Sequence, residues 1–433
     1  MSIAKKISAS SKFYYGWVIV GVALISMAFW MGIRTSFSVF YVALLEDFPW
    51  SRGASAGVQS MALITYTCMA PLVGGLIDRF GPRRVITPGI LILAIGLMIS
   101  SRIESLPQFY IYYGVVAGAG ISCIGIVSYS AILAHWFEKK RGLASGIAVS
   151  GMGVGTFLLV PMSQSFISMW GWRMTFILTG CLTLIILIPA NALFLRHKPG
   201  ELGQHLDGNT PSDSSPGHSS KNRPGDMENN DWTLRKAVRT LRFWSLIFFP
   251  FFGFIAVFII VVHQTRFLVD QGLDKMTAAF IYAWVGVVSS IFRIFWGWLS
   301  DRISRELTYT LGVACGCLGA LSLLLFEIHG SAFFTYCFFV FFGMGWGAAA
   351  PMFIAVAADL FKGRIFGLIY GFVEAGIGIA GAFGAWIAGF IFDQTQSYQM
   401  AFILVIITFL FSGVFCWLAA PRKYRSQGAW LNG

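Results

Sequence analysis

One arginine stands where an apolar chain ordinarily excludes charge. Arg293 lies inside the apolar run 277–299, eight residues before Asp301. At about 1.5 Å per helical residue it sits roughly 12 Å below the charged loop that follows. An arginine at that depth costs about 2.5–3.5 kcal/mol on insertion scales. It is tolerated only where it faces a water-filled cavity or a partner. Gly286, Ser289, Ser290 and Gly297 share its helical face and clear space around the guanidinium. The planar fork of arginine grips a carboxylate through two parallel charge-assisted hydrogen bonds. The chemistry this implies is reversible binding of a small carboxylate; an internal ion pair locking two helices is the structural alternative.

Four more residues join it as candidates. Glu374 lies about eight residues into its own apolar run, which sets it at a depth similar to Arg293. The pair is expected to neutralise each other when the site is empty, with Glu374 taking up a proton when an anion displaces it. Burial raises a carboxylate pKa and a guanidinium lowers it, so the sequence leaves the net direction open. Arg34 shares a helical face with Trp30, Met31, Ser38 and Tyr41 and is read as attracting anions, or pairing with an acid, slightly off the membrane centre. His263, at the end of an apolar run, is read either as lining a proton-sensitive gate or as an interfacial histidine. Tyr129 continues a face with Ser122 and Ile126 and is expected to complete a carboxylate's hydrogen bonds.

The elements that must position these residues are membrane spans. The chain has 433 residues, 57% hydrophobic and 12% charged. Soluble domains carry about 25% charged residues, so this is an all-α membrane protein. A span needs about 20 apolar residues. Twelve are expected, at roughly 16–44, 54–77, 85–102, 108–135, 143–165, 172–195, 243–265, 277–299, 307–328, 332–358, 366–391 and 399–420. The connection 196–242 is polar and Pro/Ser-rich and is expected to be largely disordered. It divides the chain into a bundle at 1–195 and a second at 243–433. The first span is retained, being too long for a signal peptide.

The net charge of +12 does not signal nucleic acid. Only Arg52, Arg102, Arg173, Arg266 and Lys275 fall on one side of the membrane, and Arg34 and Arg293 lie within spans; the remaining Lys and Arg fall on the other. Positive residues stay cytoplasmic, which places both termini inside. The seven cysteines lie in apolar segments without metal-ligand spacing. No metal site, cofactor, nucleotide fingerprint or nucleophile–base set is found, so an enzyme is not expected.

The two halves repeat. Gly74-Gly-Leu-Ile-Asp78-Arg79 answers Gly297-Trp-Leu-Ser-Asp301-Arg302 at an offset of 223 residues. Phe137, Gly142-Leu143 and Gly146 answer Phe361, Gly367-Leu368 and Gly371, and Trp172-Arg-Met174 answers Tyr398-Gln-Met400. Parallel repeats imply two six-helix bundles with a site between them near mid-depth. Arg293 and Glu374 break the repeat, their counterparts being Ala70 and Val149.

Gly74 to Arg84 resembles the signature loop between helices 2 and 3 of the major facilitator superfamily, with an echo at 297–305 where Ser304 replaces the usual glycine. Tyr15-Gly16-Trp17 and Phe292-Arg293 ahead of Gly297-Trp-Leu-Ser-Asp-Arg302 resemble its monocarboxylate transporter and oxalate/formate antiporter branch. The resemblance implies an alternating-access carrier with an anion-binding arginine on helix 8, matching Arg293. It implies that Asp78–Arg79 and Asp301–Arg302 latch one state from the cytoplasmic loops. The chain departs from the branch in two places. Ser289 stands where the animal carriers have a proton-coupling aspartate, and helix 11 carries Glu374 where the oxalate exchanger has a basic residue. The expected function is transport of small monocarboxylates (lactate, pyruvate or formate) with a proton, by a monomer in a bacterial inner membrane. Alternatives are an oxalate/formate-type anion exchanger and, less favoured, a transporter-like sensor.

Overall fold

The computed structural model describes residues 14–137, 141–196, 199–204, 234–361 and 366–419. Among these there is no strand. Ten described helices are long and apolar enough to cross a membrane. One of the ten is two spans in register: the helix Arg141–Pro189 turns at Gly171, whose φ of 77° and ψ of 164° only glycine adopts readily. A twelfth span is broken into short pieces. We number the spans α1 (Gly16–Asp47), α2 (Arg52–Phe80), α3 (Pro82–Ser100), α4 (106–136), α5 (141–170), α6 (172–194), α7 (Leu241–Asp270), α8 (Lys275–Arg302), α9 (Arg305–His329), α10 (Ala332–Leu360), α11 (Phe366–Thr395) and α12 (Gln399–Ala419).

Two hydrophobic cores follow the two halves of the chain. One is built almost wholly from α1–α6 and the other from α7–α12. The seam between them runs along α2 against α11 and α5 against α8. Glycine makes those approaches close. A methyl group at Gly378 of α11 would fall 1.7 Å from Thr67 Oγ1 of α2, and one at Gly153 of α5 would fall 1.9 Å from Ser290 Oγ of α8. Small residues allow such backbone approach in a bilayer, where apolar burial between helices gives little drive.

The internal repeat is visible in the caps. Ser51 accepts from Ala54 N at the start of α2, and Asp274 accepts from Thr277 N at the start of α8. The signature loop is shorter than expected. α2 stays helical through Phe80, Gly81 makes the turn at φ 82°, and Pro82 opens α3. At the equivalent turn Ser304 has φ −89° and caps α9 by accepting from Leu307 N. That turn needs no positive φ, which explains why serine replaces glycine there.

Several spans are longer than expected because their polar ends are capped rather than frayed. α7 runs to Asp270, so His263 lies inside it. The connection 196–242 is described only at its two ends. Its first part is tied to the N-terminal bundle: Trp136 Nε1 donates to Arg196 O at 3.1 Å, and Tyr15 N donates to Gln204 Oε1 at 3.1 Å. The expectation of disorder at 205–233 lies outside the described residues.

Candidate functional site

Arg293 faces the seam from α8. Its Nη1 lies 3.4 Å from Met152 Sδ of α5, and its guanidinium carbon is 5.9 Å from the centre of the Trp346 ring of α10. Its Nε is buried without a hydrogen-bond partner, and it forms no ion pair among the described residues. Ser289 and Ser290 turn back onto Gly286 O at 2.9 and 3.0 Å, so neither hydroxyl is spent on the arginine. A soft sulfur and an aromatic face hold the cation without neutralising it. The guanidinium keeps donors for an anion.

The expected Arg293–Glu374 pair is corrected. The charge of Glu374 acts instead on Arg34 and on Tyr66. α11 runs beside α2 and not beside α8, which brings Glu374 towards the first bundle. Arg34 lies 4.5 Å from the centre of the Trp30 ring and 5.2 Å from that of Tyr66. Tyr113 of α4 and Tyr282 of α8 also lie near it. Trp30 Nε1, Tyr113 Oη and Tyr282 Oη are buried without partners. Buried polar groups are nearly always satisfied, so three open ones around a cation mark a place for a polar ligand or water. Tyr66, Tyr113 and Tyr282 were not legible as site residues. Their one signal is a hydroxyl in an otherwise apolar span, which packing tyrosines share.

Tyr129 does not stand beside either arginine. Its hydroxyl lies 2.6 Å from Ser26 Oγ and 2.6 Å from Asn191 Oδ1, a closed ring of hydrogen bonds joining α4, α1 and α6 inside the first bundle. The physical reason is that α4 is not one helix. It runs as Leu106–Phe109, a π-helical stretch Tyr110–Ala117, Gly118–Cys123 and, after a break at Ile124–Gly125, Ile126–Trp136. The expected face Ser122–Ile126–Tyr129 is therefore interrupted: Ser122 bonds Ala119 O, Ile126 is exposed and Tyr129 is buried.

At the seam end carrying the loops 48–51 and 271–274, polar groups close the two bundles together. Both oxygens of Asp393 on α11 accept from backbone N–H groups at the start of α2, from Arg52 N at 2.8 Å and Gly53 N at 2.7 Å. Arg52 Nη1 donates to Asp270 of α7 at 2.5 Å and to Tyr398 Oη at 3.0 Å. Lys275 pairs with Glu46 at 2.5 Å. His263 lies beneath this cluster, fully buried. Its Nε2 donates to Ala385 O at 2.8 Å, so Nδ1 accepts from the Tyr398 hydroxyl at 3.2 Å. Both of these partners belong to the second bundle; across the seam the Tyr41 hydroxyl of α1 lies 3.5 Å from Nδ1.

The other end is different. The side chains of Asp78 and Asp301 lie outside the described residues. Arg79 lies over the Phe80 ring and Arg302 over the Trp298 ring, both exposed, each on its own helix. All seven cysteines are free thiols, and among the described residues no His/Cys/Asp/Glu group has the geometry of a metal site.

Two six-helix bundles with a polar, cation-bearing seam define a membrane carrier. The sequence pattern of the Major Facilitator Superfamily matches residues 18–369 and 338–429, and the chain belongs to that family. It is 26% identical over 412 residues to monocarboxylate transporter 13 of Rattus norvegicus, covering 95% of this chain and 90% of that one. It is 26% identical over 402 residues to monocarboxylate transporter 2 of Homo sapiens, covering 90% and 82%. An MFS-type transporter of Bacillus subtilis is 25% identical over 398 residues, covering 89% and 91%. A D-xylose-proton symporter superposes with a TM-score of 0.71 at 16% identity, covering 93% and 97%. A bacterial homologue of the human lysosomal transporter Spinster does so at 0.70 and 15%, covering 95% and 98%. The chain is a multi-pass, monocarboxylate-transporter-like membrane transporter.

Proposed function

We propose that this transporter carries small organic monocarboxylates of the lactate, pyruvate and formate class, coupled to protons, by rocking its two bundles about the seam. The observation that carries this reading is Arg293, held at the seam with a buried, unpartnered Nε and no counter-ion among the described residues. The names of the mammalian relatives support the substrate class. Arg293 binds the carboxylate. Glu374, the charge beside Arg34, is the proton site. The Lys- and Arg-rich loops and both termini face the cytoplasm, which makes the end closed by Asp393 the outer one. Asp78–Arg79 and Asp301–Arg302 close the cytoplasmic end in the opposite state. His263 belongs to the outer gate. The protein acts as a monomer in a bacterial inner membrane.

The test is uptake of labelled lactate, pyruvate, formate and oxalate into proteoliposomes, with and without an inward proton gradient. Gradient-driven monocarboxylate uptake that disappears in Arg293→Gln is expected. Absence of carboxylate uptake, or normal uptake by the variant, sinks the reading. One observation favours a second reading, an oxalate/formate-type anion exchanger: each bundle presents an arginine, Arg34 and Arg293, free of described salt bridges. Oxalate uptake driven only by an internal anion would select it.

A further inference from the structure

The foot of α7 is dressed differently from the foot of α1. At α1 the chain is covered. Tyr15 is fully buried, its N–H donates to Gln204 Oε1 and its hydroxyl to Phe194 O, and Leu202 packs against the first core. At α7 the chain enters through a short helix, Leu234–Ala237, and a turn. Ala237 is fully buried, and Leu234 and Val238 pack against the second core. Val238 N donates to Leu234 O, and Thr240 donates to Ala237 O through both its N–H and its hydroxyl. Thr240 Oγ1 accepts from Phe243 N at 3.3 Å and so caps α7. Trp244 Nε1 donates back to Val238 O at 2.9 Å. This elbow is therefore held in shape by its own hydrogen bonds.

Its outer side is cationic. Arg235, Lys236, Arg239 and Arg242 are all exposed, and residues 234–244 contain no acid. Arg235 and Arg239 form no ion pair among the described residues. The described acids at this end of the second bundle are engaged elsewhere: Asp359 pairs with Arg305 at 3.2 Å, and Glu306 is fully buried. Apolar surface adjoins the cations. Leu241 is 65% and Trp244 47% exposed. Trp244 stacks on Phe248 at 6.0 Å, and Phe248 lies 5.3 Å from Phe415 of α12, which carries the apolar side on along the span. A tryptophan at the end of a span marks the headgroup level of the bilayer. Cations fixed beside that level repel one another, and lipid phosphates neutralise them. A soluble anion would use the cations alone. A phospholipid uses the cations and the exposed Leu241 and Trp244 together.

We infer that the elbow 234–244 is a binding surface for an anionic phospholipid. The phosphate lies on Arg235 and Arg239, with Lys236 and Arg242 flanking it, and an acyl chain runs against Leu241 and Trp244. The bound headgroup anchors the foot of α7 at the membrane surface.

The experiment titrates the purified full chain in detergent with phosphatidylglycerol and, separately, with phosphatidylcholine of the same acyl chains, and reads bound lipid by native mass spectrometry. Wild type is expected to hold phosphatidylglycerol about tenfold or more tighter than phosphatidylcholine. Arg235→Gln combined with Arg239→Gln is expected to weaken phosphatidylglycerol about thirtyfold, each basic contact being worth a little over fivefold. The melting temperature should not change, because both side chains are exposed. Arg235→Lys with Arg239→Lys keeps the charge and should stay within about threefold of wild type. Arg84→Gln with Arg102→Gln removes the same charge from exposed positions of the first bundle and should stay within about twofold. Equal weakening by the two glutamine pairs would trace the binding to net charge and overturn the elbow as its place. Equal retention of the two lipids overturns the anionic lipid. Displacement of the lipid by inorganic phosphate at equal concentration assigns the cations to a soluble anion and overturns the membrane reading.

Discussion

The two ends of the seam are built from the same four helices and behave oppositely. Towards the 48–51 loop, α2 and α11 touch: a methyl at Gly389 would lie 2.7 Å from Gly53 Cα, and Ser60 Oγ donates to Ala382 O at 2.6 Å. Towards the 81 and 303 turns, a methyl at Gly75, Gly146, Gly297 or Gly371 would meet nothing within 4 Å. These four glycines lie one on each of α2, α5, α8 and α11. The bundles therefore meet at one end and part at the other, as the proposed rocking of the bundles requires of one state. Sealing relies on directed polar contacts between backbone and carboxylate. The open end carries no counterpart among the described residues. A seal made of a few hydrogen bonds can be exchanged for another at the far end without unfolding either core.

That comparison can be broken at both ends. The largest effect is expected at the site between them. Arg293→Gln should lower carboxylate uptake by about two orders of magnitude, the scale of losing about 2–5 kcal/mol at a desolvated charge contact. The seal should persist in this variant, read as unchanged protection of a cysteine placed at Ser60. Next comes the seal. Asp393→Ala removes two charge-assisted hydrogen bonds, each worth about 1.5–3 kcal/mol. Cysteine labelling at Ser60 from the sealed side should rise at least tenfold. Unchanged labelling would show that Asp393 does not hold the bundles.

A matched pair sharpens the contrast further. Gly389→Ala forces a methyl against the backbone of Gly53, so transport should fall several-fold as the sealed state becomes strained. Gly297→Ala adds a methyl to open space and should leave rates within twofold. It should raise the melting temperature slightly, since alanine is favoured over glycine in helices by about 0.5–1 kcal/mol. Equal effects of the two changes would refute the asymmetry. The smallest effect is at a cap. The Thr277 hydroxyl and backbone N–H hold the Asp274 carboxyl below the usual carboxylate range. Its folded pKa is depressed, so the stabilisation is present above the unfolded value and is lost as pH falls through the folded one. Asp274→Ala should cost about 1 kcal/mol near neutral pH, and the gap to wild type should close at acid pH in thermal unfolding.

Much of the architecture was legible because a bilayer imposes it. Runs of apolar residues long enough to span must be helices, since no water can satisfy a bare backbone. The repeat between Gly74–Arg79 and Gly297–Arg302 is written in residue types, and the caps at Ser51 and Asp274 follow the same register. Arg293 was legible because charge in an apolar run is costly wherever the helix faces. The connection between spans 143–165 and 172–195 was expected, and the structure narrows it to a turn at Gly171; the break at Gly125 was not legible, because a glycine in a span is equally compatible with close packing.

The sequence by itself determined the number of spans, the duplication and the one residue whose burial demands a reason. Only the tertiary structure decided which side chains meet. It turned Tyr129 inward to Asn191, moved Glu374 from Arg293 to Arg34, and set Asp393 on the N-terminus of α2, 340 residues away along the chain from Gly53. The reason is geometric. Helical periodicity fixes which residues share a face, but the partner of that face depends on how twelve nearly equivalent cylinders are arranged, and that arrangement is set by where glycines let the backbones close.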